Sequence, residues 1–368
     1  MPSPRRIGAV SAALLGPLVL AYRFALLYRA RAGYPRRRPA QFTPADLGLP
    51  FDSTVVESPG GRLPAWFIPA NCGRPGPGVV MVHGWESARD RALPYAQFLH
   101  AAGFHCLVFD VRGHGGNPAE LLPISAGEFG ADALAALDAM LQRPEVTSAA
   151  LMGHSIGGAG AIIAAAADPR TAALVATAVP SDPDRLTRQT FRLAHLPFPG
   201  PVAWPLGWLT TRVFLRPRGH SIGAVSAREA IARVDGPILL IHGRQDQVVP
   251  FGDLARLATA AGRARRRSGS SAALEILVVD EGRHSWLHED EGYRRTVARF
   301  LTEAMGGPFT PLEAAARAAA VDAQRLPEVQ QPFAALREPP GRLRTIAELT
   351  GAVAASTPDT GLIGAGDR

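Results

Sequence analysis

The 368-residue sequence contains no lysine; all 39 of its basic residues are arginine. With 38 glycines and 33 prolines beside them, the arginines reflect a compositional bias spread along the chain rather than a basic face. The net charge of +7 therefore calls for no nucleic-acid partner. The one dense cluster, Arg263, Arg265, Arg266 and Arg267 beside Ser268-Gly269-Ser270-Ser271, reads as a solvated loop. Cysteine is scarce as well. Cys72 and Cys106 are too few for a zinc site or a disulfide framework, and Cys106 sits in a strand pattern as a small buried thiol would. No internal repeat is present. What remains is a chain long enough to bury a substantial core.

That chain is organised around Ala149 to Gly160. An apolar run ends in Gly153-His154-Ser155-Ile156-Gly157-Gly158, and a small-residue helix pattern, Ala161 to Ala167, follows. Strand, sharp turn and helix put Ser155 at the apex, with Gly153 and Gly157 two residues away on either side. So tight a turn strains the backbone of its apex residue, and the flanking residues must lack a Cβ to clear strand and helix. The hydroxyl is lifted off the sheet above a helix N-terminus, whose free N–H groups favour developing negative charge.

A serine hydroxyl is a weak nucleophile at neutral pH; it needs a base, and the base needs an orienting acid. Two later strand patterns supply them. Pro237 to Gly243 runs into Asp246, and Leu274 to Val279 leads through Asp280-Glu281-Gly282 to His284. All three groups then lie past the C-terminal ends of strands, where parallel sheets place their sites. His284 is preferred because it directly follows its strand and turn, whereas His288 lies a helical turn beyond. The His154 side chain diverges from that of its neighbour Ser155, and His83 and His242 are expected to pack. Asp280 and Glu281 are too near His284 in sequence to reach its ring, and Asp253 falls inside the next helix pattern.

Together with His83-Gly84, Asp110 to Gly115, Gly243 to Asp246 and Gly282-Arg283-His284, the elbow resembles the α/β-hydrolase fold over residues 54–305. Within that superfamily the apolar N-terminus makes the chain similar to membrane-tethered monoacylglycerol-lipase-like and BEM46-like proteins. The resemblance implies a mostly parallel, doubly wound sheet with an inserted cap, and the chain order serine, acid, histidine. That order sets aside Asp110, which precedes the serine and is expected to bond nearby backbone N–H groups. It also implies an oxyanion hole formed by the backbone N–H groups of Trp85 and Ile156. The HGGG form of some lipases is absent.

The flanks divide the rest. Within residues 1–34, the apolar stretch 7–28 would span roughly 33 Å as a helix and is expected to be a single-pass membrane anchor. Ala30-Arg31-Ala32 offers the alternative of a cleaved signal and a secreted enzyme. Pro-rich residues 35–52 read as a linker. Two short strand patterns around Pro59-Gly60-Gly61 suggest an edge hairpin. Residues 180–233 carry seven prolines among Phe191, Phe198, Trp204, Trp208 and Phe214, and form the expected cap. Residues 306–368 read as an Ala/Pro-rich tail with helix patterns at 311–325 and 342–355.

The expected function is that of a serine hydrolase cleaving ester or thioester bonds of a small or lipid-like acyl substrate through an acyl-enzyme. No metal or organic cofactor is implied. A serine peptidase or acyltransferase is the alternative; Asp182, Asp184 and Asp235 are the acids near the cap that could hold a peptide amine. A non-catalytic binding protein would have lost a triad member, and none is lost here.

Overall fold

Eight strands form one sheet: β1 (Asp52–Ser58), β2 (Gly61–Ile68), β3 (Gly76–Val82), β4 (His105–Phe109), β5 (Val146–His154), β6 (Thr171–Thr177), β7 (Ile238–Gly243) and β8 (Leu274–Val279). The computed structural model describes residues 4–196 and 198–322. The sheet order is β1-β2-β4-β3-β5-β6-β7-β8. The hairpin β1–β2 is antiparallel, β2 pairs antiparallel with β4, and every later pairing is parallel. Burial follows from that. β3, β4 and β7 are buried at every position, because helices cover both faces of the parallel part, so their sequences are continuous apolar runs.

Ten helices surround the sheet among the described residues: α1 (Pro4–Ala32), α2 (Leu93–Ala101), α3 (Ala126–Leu141), α4 (Ile156–Ala167), α5 (Pro183–Leu193), α6 (Gly200–Leu215), α7 (Ala227–Ile231), α8 (Gly252–Ser268), α9 (Glu291–Met305) and α10 (Pro311–Ala320). Alternate residues of each strand feed two separate cores. Val80 and Val82 pack with Phe129, Leu137 and Ile162 on the face of α3 and α4, while Val79 and Met81 pack with Phe98, Val297 and Leu301 on the face of α2 and α9. β3 lies between β4 and β5, so the chain reverses its direction of travel across the sheet beside the end of β5. In open parallel sheets such a reversal opens a crevice at the strand ends. Ser155 sits there.

The flanks depart from expectation. Residues 7–28 are helical within α1, yet no helix among the described residues is long and apolar enough to cross a membrane. The C-terminal half of α1 is instead docked on protein. Phe24 packs edge-on against Phe191 and Phe198, Tyr28 against Phe191 and Phe214, and the Tyr28 hydroxyl lies 2.8 Å from Thr190 Oγ1. The expected linker is a bound segment, with Leu49 buried and Phe42, Leu47 and Phe51 packed on the core. The arginine cluster is the last turn of α8 rather than a loop. Arg265 is buried there, and its guanidinium donates to the carbonyls of Gly236 (2.8 Å) and Ala272. The region expected as a cap supplies α5, α6 and α7, with α6 packed along α1. Of the tail, α10 packs on α9; the pattern at 342–355 lies outside the described residues.

Candidate active site

Ser155 stands between β5 and α4 with φ 55° and ψ −126°, a conformation that non-glycine residues adopt only under constraint. Its own N–H donates to Thr177 O of the neighbouring strand at 2.9 Å. The flanking glycines are steric requirements. A Cβ on Gly157 would lie 2.1 Å from His83 O, and one on Gly153 2.5 Å from Gly157 O. Both clashes are with backbone, which cannot rotate away. The motif thus lets β3, β5 and α4 converge closely enough to raise one hydroxyl.

Asp246 and His284 come together on the loops after β7 and β8. Backbone hydrogen bonds stitch those loops to each other, Arg244 N to Val279 O and Gln245 N to Gly282 O, both at 2.9 Å. Asp246 Oδ2 then lies 2.8 Å from His284 Nδ1, while Oδ1 accepts the N–H groups of Val248 and Val249 at 2.8 Å each. Burial pushes the Asp246 carboxyl up, but the charge of His284 and the hydrogen bonds from His242 and His284 outweigh it. The carboxyl is held well below the usual carboxylate range. Ser155, Asp246 and His284 are each at most 8% exposed.

Two histidines expected only to diverge or pack serve this pair. His154 Nε2 donates to the His284 carbonyl at 2.8 Å, so the residue before Ser155 ties the strand-to-helix turn to the His284 loop. His242 Nε2 lies 3.0 Å from Val249 O and 3.3 Å from Asp246 Oδ2, which makes it a second imidazole on the acid. The rival acids are engaged elsewhere. Asp110 accepts the N–H groups of Arg89 (2.7 Å) and Gly116 (3.0 Å), Asp253 accepts from Ser181 and Arg185, and Asp280 pairs with Arg244 at 2.6 Å. The His288 ring lies tilted against Tyr95, with ring centroids 4.5 Å apart.

The loop after β3 lies directly against Ser155: a Cβ on Gly84 would be 3.6 Å from Ser155 Cβ. His83 fixes that loop, its Nδ1 donating to Gly84 O at 2.7 Å and its Nε2 accepting Val111 N–H at 3.0 Å. The Trp85 ring packs against His114 and Phe129 on the far side. Ile156, the first residue of α4, presents its N–H at the helix N-terminus beside the serine. A cavity lined by Met81, Tyr95, Met152, Trp286 and His288 borders Gly84 and His154. Its walls are mainly apolar, as sites for acyl or aromatic groups are.

Comparison with known proteins places the chain among hydrolases. Residues 73–214 match the family model described as serine aminopeptidase, S33. An uncharacterised protein of Mycobacterium tuberculosis is 32% identical over 235 residues, covering 63% of this chain and 75% of its own length. A bifunctional esterase/perhydrolase of Acinetobacter calcoaceticus is 26% identical over 217 residues, 48% of this chain and 77% of its own. Among solved structures, an esterase of Pyrococcus furiosus superposes with a TM-score of 0.59 at 21% identity, over 75% of this chain and 99% of that one. At that identity the likeness is one of fold.

Proposed function

This chain belongs to the α/β-hydrolase superfamily and is a hydrolase acting on ester bonds, and we propose that it works through Ser155, His284 and Asp246 by a two-step acyl transfer. The observation that carries the reading is the 2.8 Å contact between Asp246 Oδ2 and His284 Nδ1, tied through the His284 carbonyl to the turn that raises Ser155. With Nδ1–H held by the carboxylate, the ring's Nε2 is the basic atom. It takes the Ser155 proton as Oγ attacks the acyl carbon, then gives that proton to the departing alcohol or thiol. Water deprotonated by the same nitrogen releases the acid. The N–H groups of Trp85 and Ile156 stabilise the oxyanion.

Esters or thioesters with an apolar acyl group fit this reading better than peptides. Recognition of a peptide amine would need a free acid near the cap. Asp182 is paired with Arg228 at 2.9 Å and Asp184 with Arg212 at 3.3 Å. Asp235 precedes β7, at the end of the sheet away from the site. The test is hydrolysis of p-nitrophenyl esters of rising acyl length beside Ser155→Ala and His284→Ala. Serine- and histidine-dependent turnover that favours medium or long chains supports the reading; a preference confined to acetate returns weight to small polar substrates.

The second part of the reading concerns where the enzyme works. On α1, Leu18 (64%) and Leu20 (71%) are exposed, and on α6, which packs along it, so are Trp204 (63%) and Trp208 (54%). Arg188 stacks on Trp204 and Arg212 on Trp208. Aromatic rings beside cations suit the headgroup layer of a bilayer, so these exposed side chains support membrane attachment along α1 rather than through it. Co-sedimentation with phosphatidylcholine/phosphatidylglycerol vesicles tests it. Binding lost in Trp204→Ser/Trp208→Ser favours the attachment, and no binding at low salt argues against it.

A further inference from the structure

The segment joining α1 to β1 is bound to the loop that carries Trp85. Two acids of that loop are buried, Glu86 (0% exposed) and Asp90 (6%). Each accepts a backbone N–H from the segment: Arg36 N donates to Glu86 Oε1 at 3.0 Å, and Gln41 N to Asp90 Oδ2 at 2.8 Å. Burial pushes the Asp90 carboxyl up, opposed by the N–H groups of Gln41 and Phe42. The segment is fastened further along by Arg37 Nη1 to Asn117 O (3.0 Å) and by Ile124 N to Gly33 O (2.9 Å).

Glu86 also has φ 48°. A residue with a Cβ holds that left-handed conformation only where its surroundings impose it. Trp85 is therefore bracketed. On one side Gly84 presses against Ser155; on the other Glu86 is turned into the protein and gripped by the N-terminal segment. A buried carboxylate that loses a donor is held less firmly, and the part that gives is the turn next to Trp85.

We propose that residues 36–42 are a strap that sets the oxyanion hole, with Glu86 as its positioning residue. The inference rests on the reading of Trp85 N–H as an oxyanion donor. The strap tells the active site whether the N-terminal segment is seated, since the same stretch of chain leads directly into α1 on the cap. Oxyanion donors act on charge that exists only in the transition state, so a loosened strap lowers kcat and leaves KM nearly unchanged.

The test deletes one backbone donor. Arg36→Pro removes the N–H that Glu86 accepts, and Arg36→Ala keeps it. Glu86→Ala removes the acceptor, and Glu86→Gln keeps an acceptor oxygen in place. Losing an oxyanion donor outright costs roughly 100- to 1000-fold, so a displaced one is expected to cost about 10-fold or more. The expected result is such a fall in kcat for Arg36→Pro and Glu86→Ala, with KM within about twofold, on p-nitrophenyl butyrate. Arg36→Ala and Glu86→Gln should retain most of kcat. Inhibition by a trifluoromethyl ketone, which forms a serine-bound oxyanion, should weaken by the same factor as kcat/KM. Unchanged kcat and inhibition in folded Arg36→Pro or Glu86→Ala would overturn the proposal, as would a loss confined to thermal stability. Should Arg36→Pro not fold, the Glu86 pair decides alone. Equal turnover by wild type and Ser155→Ala would instead sink the reading of the site itself.

Discussion

His242 Nε2 and Asp246 Oδ2 are 3.3 Å apart, so the carboxylate that meets His284 Nδ1 is shared with a second buried imidazole. With the two backbone N–H groups on Oδ1, every face of the Asp246 carboxylate is occupied. His242→Leu is expected to lower kcat about tenfold, because a hydrogen bond to a charged group contributes about 1.5–3 kcal/mol and part of that holds the acid in place. His242→Gln, which keeps a donor, should recover much of the loss. Steady-state kinetics on a soluble ester decide it, and wild-type kcat in His242→Leu would make the contact incidental.

The buried histidine pair behind the Trp85 loop sets a pH dependence of stability. His83 and His114 have ring centroids 5.3 Å apart. Burial, then the neighbouring His83, pushes His114 down to about 3, against only a partial opposing effect of the Arg112 carbonyl. The unfolded chain binds this proton near pH 6.5 and the folded chain does not until about pH 3. Stability is therefore complete above pH 6.5 and falls as the pH drops below it, by about 2 kcal/mol at pH 5 from this group. Urea unfolding at pH 8 and pH 5 should show a smaller difference in His114→Phe than in wild type. Equal differences would contradict the assignment.

Gly157→Ala should damage fold and activity together. The added Cβ would meet His83 O at 2.1 Å and Val82 O at 2.4 Å, so α4 must move away from β3 and carry the serine with it. Overpacking of this kind costs about 1–3 kcal/mol. The expected outcome is a lowered urea midpoint and a loss of turnover larger than that stability change accounts for.

Phe24→Ala tests the docking of α1. Phe24 lies 5.5 Å, centroid to centroid, from both Phe191 and Phe198, and edge-to-face pairs contribute about 0.5–1.5 kcal/mol each. Removing the ring should speed tryptic cleavage at Arg23 and Arg29 about tenfold while leaving the rest of the domain intact. An unchanged cleavage rate would mean that α1 is held by other contacts.

Much of the frame of the candidate site was legible because strands announce themselves. The patterns Pro237 to Gly243 and Leu274 to Val279 are strands within a residue of those bounds, and Asp246 and His284 lie on the loops that follow them. The contact of His242 with Asp246 was hidden because a strand pattern does not say which loop atom the last side chain meets. The strap reads as a linker because proline-rich composition conceals donors whose partners, such as Glu86 for Arg36, lie far away in sequence. Hydropathy made residues 7–28 look like a membrane span, since it is blind to aromatic partners on the cap. Arg265 was recoverable. Leu254, Leu257, Ala261 and Arg265 follow one helical face, and all four are buried while Arg263, Arg266 and Arg267 point outward.

The most direct measurement is active-site titration with a fluorophosphonate, followed by mass-spectrometric mapping of the modified peptide. A strained serine made nucleophilic by a carboxylate-held imidazole should be phosphonylated stoichiometrically at Ser155, with labelling abolished in Ser155→Ala and slowed by at least about 1000-fold in Asp246→Asn, whose amide would impose the wrong tautomer on His284. Labelling at another serine, or rapid labelling of Ser155 that is indifferent to Asp246, would contradict the triad.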